Sequence, residues 1–111
     1  VKHVSPLEAF KYFFSLPNMN KQRAKDSFVV VNEKGLHTRP STELVKCATG
    51  FKSQVTLRYQ NCVVNAKSLL GILMLAAARG ARIAVEAEGE DAEQAVRTII
   101  QLARNKFNIK F

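Results

Sequence analysis

The sequence predicts an α+β two-layer sandwich: a four-stranded, mostly antiparallel sheet with three helices on one face, in the order β-α-β-β-α-β-α. Three observations predict it. β-Branched or alternating segments recur at 27–32 (SFVVVN), 52–59, 62–64 and 82–88. Helical segments lie between and after them, two of them closed by Gly50 and Gly80. The middle strands are separated only by Gln60-Asn61, which makes them a hairpin.

The first strand spans Ser27 to Asn32 and ends in the turn Glu33-Lys34-Gly35. A helix follows from about Thr38 to Thr49, with Leu44, Val45 and Ala48 as its apolar stripe and Gly50 as its stop. In 52–59, Val55 and Leu57 alternate with Thr56 and Arg58, the pattern of a half-buried strand. Cys62, Val63 and Val64 form the returning strand. Ser68 opens a second helix, expected to end near Arg79, with Ile72, Leu75 and Ala76 facing the sheet. Ile83, Val85 and Ala87 point inward from the strand 82–88, which Gly89 breaks. Glu90, Asp91 and Glu93 load the start of the last helix with carboxylates, which suits its dipole. That helix runs to about Asn105, burying Ala95, Val96, Ile99, Ile100, Leu102 and Ala103. Residues 106–111 read as a tail.

The chain has 111 residues, the length of one domain, and 47% apolar against 23% charged residues excludes a disordered chain. Residues 1–26 stand apart as a basic N-terminal extension, with Pro6, Pro17 and the run Lys21-Gln22-Arg23-Ala24-Lys25. It reads as mobile or as a short appended helix over 5–16, with Ser5 as N-cap, Pro6 at the first position and Glu8 at the third. Residues 27–111 form the folded domain. No apolar run reaches the roughly 20 residues that span a bilayer, so stable membrane insertion is not expected. Cys47 and Cys62 read as reduced thiols of a cytoplasmic protein.

The net charge of +8 fits nucleic acid, an anionic surface, a phosphate-handling site or acidic partners. The cations do not interleave with aromatic residues on any one element, which disfavours nucleic acid. There is no H-E-x-x-H, G-x-S-x-G or Gly-rich phosphate loop, so no metal and no cofactor is expected.

Two motifs remain. Gly35-Leu36-His37-Thr38-Arg39-Pro40 sets an imidazole at the start of a helix, with Pro40 in the first turn. A helix N-terminus binds anions, and Arg39 adds a guanidinium fork suited to phosphate. A neutral imidazole nitrogen is a nucleophile, so His37 can be a phosphoryl acceptor or simply a residue at a helix end. Asn65-Ala66-Lys67-Ser68-Leu69-Leu70 sets Ser68 at the next helix start, as an N-cap or a phosphorylation site. Lys34, Arg39 and Lys67 are expected around the phosphoryl site. The second helix is apolar nearly all round, which leaves Leu69, Leu70 and Leu73 near the surface as core or as a docking patch.

These two motifs, with Ala87-Glu88-Gly89-Glu90-Asp91 and the element order, make residues 27–105 resemble HPr, the histidine-containing phosphocarrier family of the bacterial phosphoenolpyruvate-dependent sugar phosphotransferase system. The resemblance implies an open-faced β-sandwich and a monomeric phosphoryl carrier that is not an enzyme. It implies that His37 is phosphorylated on Nδ1 by phospho-enzyme I and passes the group to enzyme II A-domains, with Arg39 stabilising the phosphate. Ser68 matches the serine modified by HPr kinase/phosphorylase. Thr38, Thr42, Leu69, Leu70 and Leu73 match the docking surface. The runner-up is a regulatory HPr-like protein, from the nitrogen-related branch or controlled through Ser68. The extension 1–26 is not part of the usual family pattern.

Overall fold

The computed structural model describes residues 22–110; the helix expected over 5–16 lies outside them. Strands β1 (Gln22–Val29), β2 (Gln54–Tyr59), β3 (Cys62–Asn65) and β4 (Arg82–Gly89) form one sheet in the order β1-β4-β2-β3, every neighbouring pair antiparallel. Helices α1 (Thr38–Thr49), α2 (Leu69–Met74) and α3 (Ala92–Arg104) cover one face. Phe28, Val55, Leu57, Ile83, Val85 and Ala87 are buried on that face beneath Leu44, Ala48, Ile72, Ala95, Ile99 and Ala103. The other face is open, and a shallow groove on it is lined by Lys25, Ser27, Thr56, Arg58, Ala84 and Glu86. The period-2 alternation of β2 and β4 thus sorts the sheet into a dry side and a wet side.

The first strand is displaced from its expected span. It begins at Gln22, before Ser27, and ends at Val29. Gln22, Arg23, Lys25 and Asp26 show no apolar alternation, yet their backbone pairs with Gly89, Glu88, Glu86 and Val85 in turn. Beyond Val29 the ladder gives way to two bonds around Val30: its amide donates to the Ala81 carbonyl and its carbonyl accepts from the Gly80 amide, both at 2.8 Å. Helix α1 has the expected bounds, and Leu44 and Ala48 are fully buried. Gly50 caps it at φ −75°, so this glycine does not use the left-handed backbone its position suggested.

Helix α2 is shorter than expected. It ends at Met74, and Ala76 turns left-handed at φ 51°. The alanine run 76–78 has high helix propensity, but tertiary bonding overrides it. The Ala77 carbonyl accepts from the Leu36 amide at 2.9 Å, which draws the chain out of the helix and against the turn after β1. Ile72 and Leu75 are buried as expected, whereas Ala76 is exposed and Ala77 takes its place in the core.

Residues 106–109 are not a loose tail. Lys106–Asn108 form a tight turn with positive φ at all three residues, 56°, 54° and 63°. Left-handed backbone costs a non-glycine residue about 1–2 kcal/mol. Part of the return comes from Phe107, which is fully buried and meets Phe28 edge to face, with ring centroids 5.7 Å apart. Burying such a side chain contributes about 1.5–3 kcal/mol.

Asp91 stands at the N-cap of α3, but its carboxylate makes no bond to that helix. It accepts from the amides of Lys52 and Ser53, each at 2.9 Å, and from the Ser53 hydroxyl. The Ser53 hydroxyl foremost, then the Lys52 amide, hold the Asp91 carboxyl below its ordinary value. Cys47 and Cys62 are free thiols, and burial pushes Cys47 up. Among the described residues, no helix is long and apolar enough to cross a membrane.

Candidate functional site

The turn between β1 and α1 sets the imidazole outward by burying what surrounds it. The Gly35 amide donates to the Asn32 carbonyl at 3.0 Å, closing the turn. Gly35 has φ 73°, and a β-carbon there would collide with the Ala77 carbonyl oxygen and lie 2.9 Å from Ala78 Cα, so only glycine fits. Leu36 is buried, and its carbonyl accepts from the buried Ser41 hydroxyl at 3.0 Å. His37 follows at the N-cap of α1 in extended backbone (φ −76°, ψ −173°), its carbonyl accepting the first helical bond from the Ser41 amide at 3.0 Å. Its side chain is exposed and makes no capping bond. Pro40 is buried in the first turn, where its missing N–H costs nothing.

His37 opens onto a cleft of about 240 Å³ that Asn32, Glu33, Lys34, Gly35, Thr38, Arg39, Pro40 and Ile109 also line. First-turn amides of a helix have no intrahelical acceptor and give that end a partial positive charge. No acidic residue in the first turn of α1 offsets it. Lys34 and Arg39 add two cations and Glu33 one carboxylate. The arrangement can hold a phosphoryl dianion on the imidazole while leaving it open to solvent.

Lys67 does not join this cleft. Its ammonium donates to the Phe51 carbonyl at 2.8 Å, just past the C-terminus of α1, whereas His37 stands at the N-terminus of that 12-residue helix. At 1.5 Å per residue the two ends are about 18 Å apart. Lys67 was expected beside the phosphoryl site, but its long side chain reaches the carbonyl of Phe51, 16 residues back. Asn32 and Ile109 are cleft residues that sequence reading missed. Asn32 lay inside the expected strand and Ile109 in the expected tail. The motif N-E-K-G and an apolar residue after Phe107 were the only signals.

Ser68 caps α2: its Oγ accepts from the Gly71 amide at 3.0 Å, in extended backbone at φ −113°. Gly71 is tight rather than strained, since a β-carbon there would lie 3.2 Å from Ser68 Oγ and 3.3 Å from Val64 Cβ. On the outer side of α2, Leu70 is 71% exposed, Met74 68% and Leu69 37%, while Leu73 is half-buried. Thr38 is exposed, and the half-buried Thr42 donates its hydroxyl to the Thr38 carbonyl at 2.7 Å. Among the described residues, no group of three His, Cys, Asp or Glu side chains is placed to hold a metal.

The family model described as the PTS HPr component phosphorylation site matches residues 24–105. The phosphocarrier protein HPr of Xylella fastidiosa (strain 9a5c) is 40% identical over 80 residues, 72% of this chain and 90% of that one. The phosphocarrier protein HPr of Neisseria meningitidis serogroup A is 39% identical over 83 residues, 75% of this chain and 93% of the relative. The crystal structure of HPr-C-His from Thermoanaerobacter tengcongensis superposes with a TM-score of 0.76 at 34% identity, covering 79% of this chain and 99% of that one. With an outward-facing histidine at the start of a helix and this open-faced sheet, the chain belongs to the HPr phosphocarrier family of the phosphotransferase system, a phosphoryl carrier between enzyme I and enzyme II rather than an enzyme.

Proposed function

We propose that His37 is the phosphoacceptor, taking the phosphoryl group on Nδ1 from phospho-enzyme I and passing it to the A-domain of a sugar-specific enzyme II. The observation that carries this is the exposed imidazole at the open N-terminus of α1, sharing one cleft with Lys34 and Arg39. A ring nitrogen attacks phosphorus, the bond from phosphorus to the donor breaks as the new P–N bond forms, and the same displacement then runs onto the next acceptor. First-turn amides and the Arg39 guanidinium offset the phosphoryl charge at each stage. A shallow site suits a carrier, because two partners must reach the same phosphorus in turn. The positive charge at the cleft serves this group and acidic partner surfaces rather than nucleic acid.

Incubation with phosphoenolpyruvate and enzyme I tests the assignment. The chain is expected to take up one equivalent of acid-labile phosphate and His37→Ala none. Labelling of that variant would remove His37 from the role. Arg39→Lys keeps the charge but loses the fork, and is expected to slow transfer by roughly 10- to 100-fold.

Ser68 supports a second, regulatory reading. A phosphate on its Oγ would sit at the N-terminus of α2, where the dipole tolerates it, and beside Leu69 and Leu70, where it would repel an acidic partner. ATP and HPr kinase/phosphorylase are expected to give an acid-stable label that Ser68→Ala abolishes; an unlabelled parent chain would exclude this reading. Thr38, Thr42, Leu69, Leu70 and Leu73, extended by Met74, form the surface on which both partners dock.

A further inference from the structure

Asn32 is 2% exposed yet lines the cleft that His37 opens onto. Its two halves bond to different parts of the chain. The main-chain carbonyl accepts from Gly35 and closes the turn that carries His37. The side-chain Nδ2 donates to the Lys106 carbonyl at 3.0 Å, across 74 residues. That same carbonyl accepts from the Ile109 amide at 2.9 Å, and Ile109 forms one wall of the cleft. Among the described residues, the other hydrogen bonds of 106–109 reach no further than Asn105. The turn is therefore pinned at two points, Phe107 in the core and Asn32 at the cleft.

The amide oxygen of Asn32 is buried without a partner among the described residues. A buried acceptor left unsatisfied is a stability cost that calls for an explanation. An apolar residue of the same size would remove that cost but also release Lys106. We infer that Asn32 is a positioning residue for phosphoryl transfer: its Nδ2 fixes the Lys106 carbonyl, and through it the Ile109 wall, against the turn that presents His37. This rests on His37 as the phosphoacceptor. Asn32 does not touch the reacting atoms; it sets the shape into which the phosphoryl group and the partner must fit, where small misplacements are costly to the rate.

The test is a single-turnover measurement of transfer from phospho-enzyme I to the full chain, with Asn32→Leu, Ile109→Ala and the double variant. Each single variant is expected to take up a full equivalent of phosphate on His37, at a rate lowered by roughly 10- to 100-fold. The double variant is expected to be no slower than either single one, because both act through one wall. Methyl NMR of Asn32→Leu is expected to show Ile109 shifted toward its unfolded position while residues of β2 and β4 stay in place. A rate within about twofold of the parent in Asn32→Leu, or fully multiplicative losses in the double variant, would overturn the inference. Should Asn32→Leu fail to fold, an unchanged rate in Ile109→Ala overturns it alone. A parent chain that leaves His37 unlabelled sinks the phosphoacceptor reading instead, so the two failures are distinct.

Discussion

Asp91 and Ser53, 38 residues apart, are joined by two hydrogen bonds, one from the Ser53 amide at 2.9 Å and one from its hydroxyl. With the Lys52 amide, they tie the loop after α1 to the start of α3. The carboxylate that the sequence suggested for a helix dipole is spent on a tertiary clamp.

That clamp makes stability depend on acid. Asp91 in the folded chain titrates below its ordinary 3.8, so the folded state favours the ionised form. Its contribution is fully present above about pH 4 and is lost as pH falls through the folded value. Asp91→Asn is expected to be less stable at neutral pH and to lose this part of the acid limb. Urea midpoints measured from pH 7 to pH 2 check it; parallel curves for the two proteins would refute the clamp.

Phe107→Ala tests whether the last turn belongs to the core. Removing a fully buried ring is expected to cost about 3–5 kcal/mol, seen as a large fall in the urea midpoint. A loose tail would lose nothing.

Ser68→Ala removes the cap from a helix of only six residues. The expected loss is about 0.5–2 kcal/mol by chemical denaturation, with the rate of His37 phosphorylation unchanged. A fall in that rate equal to the loss in His37→Ala would give Ser68 a direct part in transfer.

Leu70→Asp places a carboxylate on the proposed docking surface, at a position 71% exposed. Stability is expected to stay within about 0.5 kcal/mol of the parent. Affinity for enzyme I, by titration calorimetry, is expected to fall by roughly tenfold or more. Unchanged affinity would move the docking surface elsewhere.

What the sequence made legible was what local pattern controls. The alternation of Ile83, Val85 and Ala87 placed β4 and its inward face, and the stripe from Ala95 to Ala103 placed α3. His37 was legible as a helix-start residue because Gly35 and Pro40 bracket it. Four misreadings share one cause, a long-range contact that local pattern does not encode. Ala76 to Ala78 look helical until the Leu36 amide claims the Ala77 carbonyl. Gln22 to Asp26 look like the end of a basic extension until β4 supplies a backbone partner. Lys67 looks like a phosphate ligand until Phe51 offers a carbonyl. Phe107 looks like a tail residue until Phe28 stands opposite it.

The bond from the Leu36 amide to the Ala77 carbonyl has one more consequence. Leu36 precedes His37 directly, and Ala77 lies three residues beyond the end of the helix that bears Leu69, Leu70 and Met74. The segment a partner would grip and the segment it would read are stitched together by main chain, not by surface side chains. The reach from grip to imidazole is therefore set like a gauge block. If that helix is the docking surface proposed above, its side chains can change to suit a new partner while the imidazole stays at the same depth.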